Sequence, residues 1–180
     1  MMIRDGMLET IHRWDVNTFQ RITTWWPQGT LVKLARLVSR TGDGWAYPLV
    51  PLVLYLLGLP GVEQFFYIAA AAFAIERTIY PVAKKSFKRR RPYNIVPDFT
   101  SHIIASDEFS FPSGHTSAAF LMITALVLCF GPGFALLYLW AGAVGASRVI
   151  LGVHFPTDIL VGAALGSAIA TTIYMVAGTA

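Results

Sequence analysis

Cysteine and charge are what this sequence has least of. One cysteine, Cys129, stands among 180 residues, and Asp, Glu, Lys and Arg together make 13%, against about a quarter in ordinary soluble domains. The lone cysteine excludes an internal disulfide, and its setting in ALVLCFG suits a small buried thiol. So little charge in a chain that is 55% hydrophobic excludes an ordinary soluble domain and predicts an integral membrane protein. The length suits one helical domain with no room for a separate soluble module. The few charges lean basic, 14 Lys and Arg against 10 Asp and Glu. They cluster beside apolar runs, which points to anionic headgroups and phosphate substrates and away from nucleic acid. The N-terminus, MMIRDGMLETIHRW, lacks the apolar core of a signal peptide, so the chain is expected to enter the membrane through its own spans.

Residues 7–40 mix apolar and charged positions at helical spacing. They predict an amphipathic surface helix with Trp14, Trp25 and Trp26 at headgroup level, then a short second piece, TLVKLARLVSR, after Pro27 and Gly29. A cap packed on the bundle is the alternative, and in neither case is the segment expected to be catalytic. Five spans follow: 44–62, kinked by Pro48 and Pro51; 64–83, with Glu76 and Arg77 read as a local ion pair; then roughly 116–130, 134–153 and 157–177. Gly162 and Gly166 form a GxxxG pattern that lets helices approach closely. We therefore expect an all-α membrane bundle with an interfacial region at 1–43 and a transmembrane domain at 44–180. The long polar connection 84–111 interrupts it, with His102 read as a solvated loop residue and Tyr93, Phe99, Phe109 and Phe111 along the membrane surface.

Ionisable residues are nevertheless present where apolar sequence should exclude them. SRVILGVHFPTD at 147–158 sets Arg148, His154 and Asp158 at the mouth of charge-free runs, which marks them as candidates for function. PSGH at 112–115 opens a helix, so Ser113 and Gly114 lie at an N-terminus whose free N–H groups and dipole favour an anion. KKSFKRRRP at 84–92 supplies Lys84 and Arg91 within a dense basic run. If five spans alternate in direction, all three stretches fall on one side of the membrane. By chance, PSGH and the Ser147–Asp158 pattern each arise in roughly one chain of this length in a thousand, whereas the dense basic run offers many ways to place Lys84 and Arg91.

In order, K-x6-RP, PSGH and SR-x5-H-x3-D make up the three-part signature of the type 2 phosphatidic acid phosphatase family, which this chain resembles. The resemblance spans 84–158 with no departure at any motif position. It implies that His154 attacks phosphorus and becomes phosphohistidine, that Asp158 orients it, and that His115 protonates the leaving oxygen. Lys84, Arg91 and Arg148, with the Ser113 and Gly114 N–H groups, would cradle the phosphate without a metal or other cofactor. The substrate implied is a lipid phosphate in the bilayer: phosphatidate, phosphatidylglycerol phosphate or undecaprenyl pyrophosphate. The expected setting is the inner membrane of the cell, with the site on its outer face. A lipid phosphotransferase, a vanadate haloperoxidase and a noncatalytic lipid-binding scaffold are the competing readings, and oligomeric state is left open.

Overall fold

The computed structural model describes residues 2–25 and 29–178. Expectations for the side chains of Trp25 and Trp26 and for the break at Pro27 lie outside what is described. Seven α-helices follow one another: α1 (Met2–Trp25), α2 (Thr30–Thr41), α3 (Leu49–Leu56), α4 (Val62–Phe87), α5 (Gly114–Phe130), α6 (Leu137–Ile150) and α7 (Pro156–Gly178). Two 3-10 turns, Pro92–Asn94 and Pro132–Leu136, complete the described secondary structure, which contains no strand.

Among the described residues, three stretches are long and apolar enough to cross a membrane: Val62–Asn94, Pro132–Ile150 and Pro156–Gly178. α5 is apolar but only 17 residues long. The span expected at 44–62 is broken into turns around α3, whose 8 residues reach about 12 Å, well short of the hydrocarbon core. The prolines explain this. Pro48 is the N-cap and Pro51 falls in the first turn, where a missing N–H costs nothing, and Gly58 then leaves the helix at φ +68°. Five uniform spans are thus not confirmed.

α5 and α7 form the centre of the bundle. A Cβ on Gly162 would lie 2.6 Å from the carbonyl oxygen of Ser113, and one on Gly166 2.0 Å from that of Ser117. The GxxxG stripe therefore lets the α7 backbone touch the first turns of α5. Leu121, Ala125, Val144, Phe65, Ile68, Ala72 and Ala170 fill the surrounding core. Glu76 and Arg77 make the local pair expected of them at 3.7 Å, with Glu76 buried and Arg77 exposed.

The N-terminal helices do more than lie on a surface. Trp14 is exposed, yet Phe19 is fully buried, packed edge-on against Phe99 and Phe155 at centroid distances of 5.0 and 5.7 Å. Phe99 of the long connection thus folds under α1 instead of lying along the membrane. α2 buries Ala35 and Ser39 beside α6, and the Trp140 indole donates to the Thr41 hydroxyl at 2.9 Å.

The two kinds of glycine make separable predictions. Gly166→Ala should lower the thermal midpoint in detergent, at a cost of about 1–3 kcal/mol for overpacking. Gly142, with nothing within 4 Å of its would-be Cβ, should accept alanine without loss. Equal midpoints for the two variants would contradict the α5–α7 contact.

Candidate active site

Four helix ends meet at one side of the bundle and carry the three motifs together. The Ser113 N–H donates to the Asp158 carbonyl at 3.0 Å, the Ser110 N–H to the Arg89 carbonyl at 2.8 Å, and Arg91 Nη1 to the Val153 carbonyl at 2.6 Å. Gly152 makes the turn from α6 into the His154 segment at φ +80°, where a Cβ would lie 2.5 Å from the Phe99 ring. Lys84, Arg91, Ser113, Arg148, His154 and Asp158 are all buried here, and Gly114 and His115 are half-buried beside them.

His154 is 2% exposed, with Nδ1 3.5 Å from Asp158 Oδ2 and no hydrogen-bond partner of its own. Asp158 is held firmly by other groups: the Phe155 N–H donates to Oδ2 at 2.8 Å and Arg89 Nη1 to Oδ1 at 2.6 Å. Burial drives the ring's pKa down to about 4, with Asp158 opposing and Arg91 and Arg148 reinforcing the shift. The ring is therefore neutral near pH 7 and has a lone pair to offer. Its tautomer follows from the geometry: a proton on Nδ1 faces Asp158, leaving Nε2 unprotonated.

A cavity of about 420 Å³ opens in front of this group, lined by His115, Arg148, Leu151, Ile103, Ile104 and Ser106, and by Arg36, Ser39, Arg40 and Asp43 from α2 and its C-terminal turn. His154 is not among the lining residues. Arg148 donates from Nη1 to the Ser39 hydroxyl at 2.6 Å, while its buried Nε has no partner. It keeps most of its five donors free. His115 Nε2 sits 2.8 Å from Asp43 Oδ1. A larger cavity, about 610 Å³, lies between residues 20–24, Leu31 and Val32 on one side and 96–102 and Ile150 on the other, and holds none of the candidate site residues. His102 lines it half-buried, tied through its N–H to the Leu151 carbonyl at 3.0 Å, so it is not the solvated residue expected.

Two expectations change. The Ser113 N–H, read as facing phosphate, is spent on Asp158, because the close α5–α7 contact brings that carbonyl to it. The first-turn N–H groups at Gly114, His115 and Thr116 remain without an i−4 carbonyl in their helix. Lys84 and Arg91 face a carboxylate of the chain itself. Lys84 Nζ donates to Asp107 Oδ1 and to the Phe109 carbonyl, each at 2.6 Å, and Arg91 donates to the Asp107 side chain and carbonyl. The Tyr80 hydroxyl donates to the other oxygen at 2.8 Å. Burial favours the neutral form of Asp107, but the bonds and charge of Lys84, with Tyr80 and Arg91, overcome it and hold the carboxyl below its usual range.

Sequence reasoning missed four residues around the site. Arg89 bridges Asp158 and Asp15, at 2.6 and 2.5 Å. Asp15, fully buried on α1, also accepts from the Thr157 N–H at 3.0 Å and so caps α7. Ser39 and Asp43 hold Arg148 and His115. Arg89 was hidden in a run of six basic residues, and the other three belong to a segment that read as amphipathic surface.

The Arg89 cluster is testable by stability. Arg89→Met leaves two buried carboxylates without their cation and should cost about 3–5 kcal/mol in denaturation measured in detergent. Adding Asp15→Asn removes one of those charges while keeping the cap, and should restore part of the loss. A double variant no more stable than the single one would contradict this assignment.

Comparisons with known proteins agree with the geometry. A family model described as the PAP2 superfamily matches residues 62–180. The decaprenylphosphoryl-5-phosphoribose phosphatase of Mycobacterium tuberculosis is 29% identical over 154 residues, covering 82% of this chain and 81% of that protein. Phosphatidylglycerophosphatase B of Bacillus subtilis is 33% identical over 136 residues, 66% of this chain and 62% of that one. Among solved structures, Aquifex aeolicus LpxE superposes with a TM-score of 0.76 at 26% identity, over 90% of this chain and 95% of its own. A transmembrane PAP2 type phosphatidylglycerolphosphate phosphatase from Bacillus subtilis shares the fold, with a TM-score of 0.73 at 24% identity over 94% and 87% of the two chains. With the three motifs at one end of a membrane-type bundle and the family match extending over α4 to α7, the chain belongs to the PAP2 superfamily and is a membrane phosphatase.

Proposed function

We propose that this enzyme hydrolyses the phosphate monoester or diphosphate of a membrane lipid through a phosphohistidine on His154. The observation that carries the proposal is a neutral, buried His154 beside a fixed Asp158, at the same end of the bundle as a cavity lined by Arg148 and His115. In this reading His154 Nε2 attacks phosphorus as the bond to the lipid oxygen breaks, and His115 gives that oxygen its proton. Asp158 accepts from Nδ1 and stabilises the positive ring as it forms. Water then attacks the phosphohistidine, returning a proton to His115 and releasing inorganic phosphate, and His154 regains its lone pair. Burial and the Arg148 charge lower the pKa of His115, and Asp43 opposes them from 2.8 Å, on the side of the protonated form that the first step requires.

Negative charge grows on the phosphoryl oxygens during transfer, and Arg148, with its spare donors, is the cation best placed to meet it. Lys84 and Arg91 keep fewer: Lys84 uses two of three N–H donors on Asp107 and Phe109, and Arg91 three of five on Asp107 and Val153. They act by holding the site's shape and potential, with Asp107 yielding when phosphate enters. Phosphatidylglycerol phosphate and a polyprenyl-linked phosphate are the substrates suggested by the relatives' names. Residues 1–43 ride at headgroup level in this reading, and the site opens on the outer face of the cell's inner membrane. Many of the cations around it have a catalytic, structural or headgroup reason to be there, and so they do not report orientation by the positive-inside rule.

Two outcomes test these assignments. An alkoxide leaves badly without a proton, so His115→Ala should slow an alkyl lipid phosphate by about a hundredfold to ten-thousandfold and p-nitrophenyl phosphate far less. His154→Ala should abolish both, and acid-labile radiolabel should be trapped on His154; label on His115, or turnover surviving in His154→Ala, overturns the roles. For orientation, an impermeant thiol reagent should label a cysteine at exposed Asn94, in a Cys129→Ala background, in intact cells. Protection until lysis would place the site on the inner face.

A further inference from the structure

The proposed site has a second anion-binding wall that its catalytic chemistry does not use. α2 presents Arg36, Ser39, Arg40 and, one turn beyond, Asp43 at helical spacing toward the cavity that Arg148 and His115 also line. Ser39 and Asp43 are spoken for by Arg148 and His115. Arg36 and Arg40 are exposed, line the same cavity and make no ion pair among the described residues. Arg36 is aimed by its own anchor, an Nη2 bond to the His102 carbonyl at 2.9 Å, which leaves the rest of its donors for a ligand. The facing wall ends in Ile103 and Ile104, and Ile104 is 99% exposed, an apolar edge suited to a lipid chain.

These features set an order along the cavity. A phosphate reaching His154 rests against Arg148 and His115, the lipid leaves past Ile103 and Ile104, and the α2 arginines flank what joins the two. A site of about 420 Å³ has room for more than one phosphate-sized group. Two guanidiniums without carboxylate partners, facing an anion-handling cavity, call for a second anion. Resting on the catalytic reading above, we infer that Arg36 and Arg40 form a subsite for a second, uncleaved phosphate on the lipid side of the scissile one. The preferred substrate class is then a lipid carrying two phosphates, joined either as a diphosphate or through a short spacer such as glycerol. α2 lies outside residues 62–180, so this wall is contributed by the part of the chain that the family match leaves uncovered.

The test compares phosphate release from a polyprenyl monophosphate, the polyprenyl diphosphate of equal chain length and phosphatidylglycerol phosphate, in neutral detergent free of anionic lipid. The Arg36→Gln/Arg40→Gln double variant should raise KM about tenfold or more for at least one doubly phosphorylated lipid, while KM for the monophosphate changes less than threefold. Loss confined to the diphosphate identifies an adjacent second phosphate; loss confined to phosphatidylglycerol phosphate identifies a spaced one. An unchanged ratio of doubly to singly phosphorylated KM values overturns the subsite, including the case in which the arginines bind only bulk anionic headgroups. Wild-type protein that releases phosphate from none of the three, or His154→Ala that keeps releasing it, overturns the catalytic reading and this inference with it. Both arginines are exposed, so the variant should fold, and a thermal midpoint within a few degrees of wild type checks this.

Discussion

Charge buried at the end of an apolar bundle is the constraint from which the rest of this structure follows. Asp15 and Asp158 are both fully buried, and Arg89 lies between them with a bond of 2.5–2.6 Å to each. Burying a carboxylate alone is costly, and one shared cation offsets that cost for both. Further along the same connection, Lys84 and Arg91 converge on Asp107. These two clusters tie the segment between α4 and α5 to α1 and α7, and so carry the ends of four helices to one place. A polar connection of this length would otherwise be free to move; here its charges are its anchors.

Close backbone packing makes the second contribution. Gly162 and Gly166 let α7 touch α5, and the same contact spends the Ser113 N–H on the carbonyl of Asp158. His115 and Asp158 are thereby set on two helices whose relative position is governed by backbone contacts, with no long side chain between them to adjust. Asp158 is also held through its carboxylate by Arg89 and the Phe155 N–H, so its location beside His154 does not depend on the histidine. That preorganisation suits a ring that must gain charge during a reaction and lose it again.

The N-terminal helices have two faces with different work. Outward, Glu9, Arg13, Trp14 and Arg21 of α1 meet the surroundings. Inward, Asp15 caps α7 and pairs with Arg89, while Ser39 and Asp43 reach Arg148 and His115. Under the proposed chemistry, these contacts make α1 and α2 supports of the catalytic groups, although none of their residues touches phosphorus. α1 and α2 fall outside the family match, so substrate preference has somewhere to vary while the transfer chemistry stays the same.

The sequence by itself determined the membrane class, the all-α architecture, the GxxxG contact face and the three motif stretches. Each of these is local: hydropathy over a span, spacing along a helix, or a few residues within a dozen positions. It also implied that the motifs meet, through the alternating direction of helices, although the five spans used for that argument became three long apolar stretches, a 17-residue helix and a short piece around Pro48 and Pro51. Tertiary structure alone decided the partners. Which of six basic residues pairs with Asp158, that Lys84 and Arg91 face Asp107, and that Asp15 lies under α7 all depend on residues 16 to 142 positions apart. A buried charge is satisfied by whatever the fold brings within about 3 Å, and no periodicity in the chain records that distance.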